Sequence, residues 1–203
     1  MASVIYKSPF LYKTALRILH GGALAKRYKL ISTEIGAGMR VFDVGCGTCE
    51  LAAFLDRSCI YTGIDLNEKF VGHARSRGLD VVIGDVLDEG NYPDDLDMIV
   101  LSDILHHVVP KHDELVDLCK SKAEKVIICE PFAKHHRGAL KGLHSMKFLH
   151  NIFGDWDGIN DFDDMKQWNI YGKDNLVRLF KGYGIGKMHL IGDNIVGVWS
   201  RKD

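Results

Sequence analysis

Five short stretches of this 203-residue chain carry residue types that could do chemistry. The first is Asp43-Val44-Gly45-Cys46-Gly47-Thr48, a Gly-x-Gly turn. Its two glycines let the backbone approach a ligand closely, and a helix after it would offer N–H groups to a carboxylate or phosphate. A dinucleotide fingerprint needs a third glycine where Glu50 stands; a glutamate there opposes a pyrophosphate and argues against NAD or FAD. Twenty-two residues past Asp43 stands Asp65, a carboxylate spaced to accept both hydroxyls of a ribose diol. In Gly84-Asp85-Val86 a carboxylate can accept from an exocyclic amine while the next backbone N–H addresses a ring nitrogen, a pairing that recognises adenine. Ser102-Asp103-Ile104-Leu105-His106-His107 supplies two imidazoles, which titrate near neutral pH, and Glu130-Pro131-Phe132 supplies a further carboxylate.

Each of these stretches follows an apolar run of three to five residues: Arg40–Val44, Ile60–Ile64, Val81–Ile83, Met98–Leu101 and Lys125–Cys129. Such runs read as strands buried on both faces of a parallel sheet. Helical patterns separate them, over Cys49–Asp56, Glu68–Arg77 and His112–Ser121, with Gly78 closing the second and Pro110 preceding the third. The alternation predicts right-handed crossovers and a doubly wound α/β sheet, in which ligands bind beyond the carboxyl ends of the strands. A helix near Lys173–Lys181 and two β segments near Lys187–Ile191 and Ile195–Ser200 close the chain, joined by a tight turn at Gly192-Asp193-Asn194 that suits an antiparallel hairpin. Residues 132–171 break the rhythm; they hold Trp156 and Trp168 and switch from basic to acidic.

Taken in order, the motifs resemble those of the class I S-adenosylmethionine-dependent methyltransferases, of the small-molecule type related to the ubiquinone and menaquinone biosynthesis enzymes. Val41-Phe42-Asp43-Val44-Gly45-Cys46-Gly47-Thr48 matches the family's first motif. Gly63-Ile64-Asp65-Leu66, Gly84-Asp85-Val86 and Ser102–Val108 match the next three in order and spacing, and Glu130-Pro131 resembles the end of the fifth strand. The resemblance covers roughly residues 38–131 and implies a Rossmann-like, mostly parallel seven-stranded sheet with an antiparallel last strand and helices on both faces. A typical member has a glycine where Cys49 or Glu50 stands. By this resemblance Gly45 and Gly47 face the methionine moiety of S-adenosylmethionine and Asp43 braces their loop. Asp65 holds the ribose diol, Leu66 packs on the adenine, Asp85 and Val86 bind its edge, and Ser102 lines the methionine from the other side; S-adenosylhomocysteine is the product.

The sulfonium is already activated, so a base is needed only for a poorly nucleophilic acceptor. His106 and His107 occupy the rim where an acceptor belongs, and at least one of them is a candidate base; the competing reading packs one and caps the next helix with the other. Glu130 either orients the acceptor, acts as base, or is structural at its strand end. Cys46-Gly47-Thr48-Cys49 is formally a C-x-x-C pair, but its place inside the glycine loop argues against a redox role. His135, His136, His144 and His150 match no standard metal-ligand spacing, so no metal is expected.

Composition fits one soluble domain over 1–203, with 46% hydrophobic and 26% charged residues, which excludes collagen-like, disordered and disulfide-scaffold classes. Net charge is −1, so no global field recruits nucleic acid, although residues 1–40 hold seven Lys/Arg against Glu34 alone. That basic front end reads as a solvated helix face, or as a surface for an anionic acceptor. No apolar run approaches a membrane span, and Lys7, Lys13 and Arg17 interrupt any signal-peptide core. The odd count of five cysteines suits reduced thiols in the cytoplasm. The expected function is methyl transfer to a small molecule. The alternatives are an RNA or protein methyltransferase and a non-catalytic binding module. Residues 1–38 are expected to form a helical lid and 132–171 an inserted cap over the acceptor.

Overall fold

A computed structural model describes residues 4–20, 22–132 and 168–201. Two helices, α1 (Pro9–His20) and α2 (Gly22–Thr33), precede the strands β1 (Arg40–Val44), β2 (Ile60–Asp65), β3 (Asp80–Ile83), β4 (Leu96–Ser102) and β5 (Ala123–Pro131). Between them lie α3 (Glu68–Ser76) and α4 (His112–Lys122); α5 (Lys173–Gly182), β6 (Lys187–Ile191) and β7 (Asn194–Ser200) follow. The strands form one sheet in the order β3-β2-β1-β4-β5-β7-β6. The first five run parallel, and β7 lies antiparallel to both β5 and β6.

The central strands alternate as a period of two requires. Phe42 and Val44 of β1 and Ile99 and Leu101 of β4 enter one apolar layer, which α4 and α5 cover with Leu115, Val116, Leu176 and Phe180. Val41, Met98, Val100 and Ile127 enter the other, which α2 covers with Ile31. Helices therefore seal both faces, as the apolar runs predicted. β4 and β5 extend beyond their apolar runs because ladder pairing continues past them, from Leu96 opposite Ala123 to Pro131 opposite Asn194.

The chain builds outward from β1 to β3 and then returns to place β4 against the other side of β1. The carboxyl ends of β1, β2 and β4 coincide, with Val44 opposite both Ile64 and Leu101. That reversal opens a crevice between the loops after β1 and β4.

One predicted helix does not form. Cys49–Asp56 holds only a single 3-10 turn, Leu51–Phe54. Cys49 has φ 57°, in the left-handed region that breaks a helix, and Leu55 is already extended. Most of the 132–171 insertion, with His135, His136, His144 and His150, lies outside the described residues. Among the described residues no helix is long and apolar enough to cross a membrane, and no group of three His, Cys, Asp or Glu is placed to hold a metal.

Candidate functional site

A cavity of about 350 Å³ sits at the carboxyl ends of β1 to β4. Its floor is the glycine loop. Gly45 and Gly47 have φ of 69° and 53°, conformations that side chains strain to adopt. A Cβ on Gly45 would lie 2.6 Å from the Ile104 side chain, so the loops after β1 and β4 meet with no room for one. The loop curls over β2, with Gly45 and Cys46 N–H both donating to the Ile64 carbonyl at 2.9 and 3.0 Å.

Asp65 fixes the loop's far side. Its Oδ2 accepts from the Gly47 N–H and its Oδ1 from the Asn67 N–H, each at 2.8 Å. Leu66 forms a partly exposed lip, and Asp85 and Val86 close the wall beyond it. Asp85 Oδ1 accepts from the Leu87 N–H at 2.9 Å, which holds that turn. Asp43 lies beneath the floor, buried, with the Tyr61 hydroxyl donating to its Oδ2 at 2.7 Å. Burial raises the Asp43 pKa from its ordinary value to about 7; the Tyr61 hydrogen bond opposes the rise and the Asp65 charge adds to it.

The opposite wall is the loop after β4, where Asp103, Ile104 and His107 line the cavity. Asp103 has φ 58° and is held from outside the sheet: both Arg27 Nη atoms donate to its carboxylate, Nη1 at 3.0 Å, and Nη1 also reaches Asn194 Oδ1 at 3.2 Å. Burial disfavours the Arg27 charge most, but Asp103, Cys129 and Tyr28 together outweigh it and hold the guanidinium pKa above its ordinary value. Glu130, fully buried at the end of β5, grips the same loop. Its Oε1 accepts from the Ile104 and Leu105 N–H groups at 2.7 and 2.8 Å, and its Oε2 meets His106 Nδ1 at 2.7 Å. The His106 and His107 rings lie 4.3 Å apart, and only the latter reaches the cavity wall.

The family model described as "Methionine biosynthesis protein MetW" matches residues 25–148. The chain belongs to the MetW family. It is 32% identical over 93 residues to trans-aconitate 2-methyltransferase of Mycobacterium tuberculosis (strain H37Ra) and 37% identical over 94 residues to that of Mycobacterium marinum (strain M). Each match covers 44% of this chain and 35% of the relative, so the chain spans about a third of the length of the curated relatives it matches. Among solved structures, the magnesium protoporphyrin IX methyltransferase of Synechocystis PCC 6803 with bound SAH superposes with a TM-score of 0.60 at 16% identity, covering 94% of this chain and 87% of that one. The CurJ carbon methyltransferase superposes with a TM-score of 0.65 at 15% identity, covering 92% and 57%. The fold is that of the class I methyltransferases.

In this MetW-family chain the structure gathers Gly45, Gly47, Asp65, Leu66, Asp85, Val86 and His107 around one cavity. Ser102 is half-buried and lines a smaller recess of about 40 Å³ on the far side of the glycine loop. Asp43, His106 and Glu130 stand behind the walls instead. Glu130 thereby differs from an acceptor-orienting group: its oxygens are occupied by the loop it holds. Sequence reading missed Arg27 and Asn194, and it took the basic N-terminal residues for a solvated face or a surface for an anionic acceptor. Arg27 is 2% exposed. The available signal was its spacing of four from Ile31, which puts both on one helix face. Cys46 and Cys49 are both buried free thiols; contact with Cys49 and burial push the Cys46 thiol well above its ordinary pKa, where the thiolate needed for exchange is scarce.

Proposed function

We propose that this protein transfers a methyl group from S-adenosylmethionine to a small-molecule acceptor and releases S-adenosylhomocysteine. The observation that carries the reading is the convergence on one cavity of a side-chain-free glycine floor, the Asp65 and Asp85 carboxylates beyond successive strands, and His107 opposite them. When bound, the cosubstrate supplies an activated sulfonium methyl. The chain's own residues then have three tasks: hold the cosubstrate, present the acceptor in line, and exclude water.

In this reading Gly45 and Gly47 take the methionine end, with Ser102 on its other side and Asp43 beneath. Asp65 accepts from the ribose hydroxyls, and Leu66 and Val86 flank an adenine whose amine donates to Asp85. His107 faces the acceptor and takes its proton where the nucleophile carries one. Lys111, on the same wall, supplies a cation for an anionic acceptor. That choice agrees with the name of the trans-aconitate relatives. We assign the protein to the cytoplasm, where its five unpaired thiols are stable.

The test pairs thermal denaturation with an acceptor screen. S-adenosylmethionine and S-adenosylhomocysteine should raise the melting temperature while NAD does not, because a ligand bound only to the native state stabilises it. Isotopically labelled methyl donor should label a small molecule in a cell extract. Equal stabilisation by NAD, or label found only in RNA or protein, would overturn the reading; stabilisation without any labelled product would make the chain a binding module.

A further inference from the structure

The outer wall of the cavity is contributed by the N-terminal segment and not by the sheet. Tyr6 and Tyr12 line it beside Phe70 of α3. The three rings form one cluster, with centroids 5.5 Å apart for Tyr6–Tyr12, 4.6 Å for Tyr12–Phe70 and 6.0 Å for Tyr6–Phe70. A Cβ on Gly47 would meet the Tyr12 ring at 3.5 Å, so that ring lies directly over the glycine loop.

Polar ties dock the segment. Asn67 Nδ2 donates to the Tyr6 carbonyl at 3.0 Å and Lys69 Nζ to the Lys7 carbonyl at 3.2 Å. Lys13 Nζ pairs with Glu50 Oε1 at 3.0 Å. That carboxylate also faces Arg77 Nη1 at 3.6 Å and accepts from the Thr48 hydroxyl at 3.3 Å, while Arg77 donates to the Thr48 carbonyl at 2.7 Å. These partners belong to the loops after β1 and β2 and to α3, the half of the cavity that holds Asp65. Glu50, which stands where a nucleotide loop has glycine, is thus the hub that fastens α1 and α3 to the loop.

We infer that Tyr6 and Tyr12 are cosubstrate-binding residues, and that the Lys13–Glu50–Arg77 ion pairs clasp residues 6–13 over the cosubstrate. The inference rests on the function proposed above. Aromatic faces suit both an adenosine and a sulfonium cation. A wall built from a docked segment also has to open when product leaves, so the clasp sets the exchange rate. The Lys13 and Glu50 side chains are about a quarter exposed, which leaves the pair within reach of screening by salt.

The experiment is calorimetric and stopped-flow binding of S-adenosylhomocysteine to the full chain. The probe is a net-neutral zwitterion, so salt acts mainly on the clasp. Tyr12→Leu should weaken binding about tenfold through the lost ring contact. Lys13→Glu should weaken it about twofold to fivefold and speed release, the range for a partly exposed ion pair, while Lys13→Arg, which keeps a cation facing Glu50, should bind and release like the wild type. Salt from 50 to about 500 mM should erode wild-type affinity and leave Glu50→Gln nearly unchanged. Failure of the wild type to bind the probe would sink the underlying cosubstrate assignment. Wild-type binding with unaltered affinity and release rate in Tyr12→Leu and Lys13→Glu would overturn the clasp alone. So would losses matched by lower ligand-free stability, with Lys13→Arg as impaired as Lys13→Glu.

Discussion

Replacing Glu130 separates a carboxylate that positions a loop from one that takes part in chemistry. The side chain has no exposed surface and serves three partners: the Ile104 and Leu105 N–H groups and His106 Nδ1. Glu130→Ala strands two buried N–H donors and an imidazole nitrogen, each unmet buried group costing about 1–3 kcal/mol. Relaxation and water entry recover part of that, so the expected loss is about 3–5 kcal/mol, the range for breaking a buried charged pair. This is a large share of the roughly 5–15 kcal/mol that a domain of this kind has to lose. Glu130→Gln keeps one oxygen for both N–H groups and turns an amide toward His106, which can accept through an unprotonated Nδ1. Its cost should be about 1 kcal/mol, the difference between a charge-assisted and a neutral hydrogen bond. Urea denaturation with unchanged m-values should rank wild type above Gln above Ala. Affinity for S-adenosylhomocysteine should follow the same order, because the Ile104 side chain packs at 2.6 Å from where a Gly45 Cβ would stand. An alanine cost below about 1 kcal/mol would refute the positioning role. So would a glutamine variant with native stability and affinity but turnover reduced more than about a hundredfold, the signature of a lost acid or base.

Asp43→Asn should flatten the pH dependence of stability. Burial holds the folded-state pKa at about 7 against an ordinary 3.8, so the wild type loses stability as pH rises between those values, by as much as about 4 kcal/mol, and urea midpoints with equal slopes in both proteins would refute it. Asp65→Ala should abolish most of the thermal shift given by S-adenosylhomocysteine, at a binding cost of about 1.5–3 kcal/mol; an unchanged shift would remove Asp65 from the site. His107→Gln should leave S-adenosylhomocysteine affinity near wild type while turnover, read with labelled donor, falls about 10²–10⁴-fold; full turnover would leave positioning alone as the source of rate. Gly45→Ala should cost about 1–3 kcal/mol in urea denaturation because φ 69° and the Ile104 contact both exclude a methyl; a neutral substitution would mean that the two loops part easily.

The strands were legible because their signal is local. Val126, Ile127, Ile128 and Cys129 are apolar on consecutive positions, and helices on both faces of the sheet are what such a run requires. Strand ends were less legible, because Glu130 and Pro131 join β5 only through pairing with Ile195 and Asn194 of a strand some sixty residues later. The helix read over Cys49–Asp56 failed for a related reason. Leu51, Ala52, Ala53 and Phe54 have helical propensity, but Cys49 is held in the left-handed conformation by a loop that must also close on β2. A glycine there would have announced the break; a cysteine with buried surface to contribute conceals it.

The candidate site divides along the same line. Cavity-lining residues at strand ends, such as Asp65 and Asp85, sit at fixed offsets from an apolar run, and the offset is visible in the chain. Residues that hold those loops in place are defined by topology. Arg27 lies 76 residues from Asp103 and 167 from Asn194, and beside Lys26 and Lys29 it reads as one more cation of a basic helix. Glu130 reaches back 26 residues to the Ile104 N–H, and Glu50 meets Lys13 of α1 at 3.0 Å. In each case a buried or half-buried charge joins the loop after β1 or β4 to an element outside the motif. A Gly-x-Gly turn and a strained Asp103 can keep one conformation without ligand only if something else over-determines them, and these three tethers do so. The cavity-lining residues are therefore encoded locally and their rigidity at long range, which is why the first could be read from the chain and the second had to be seen.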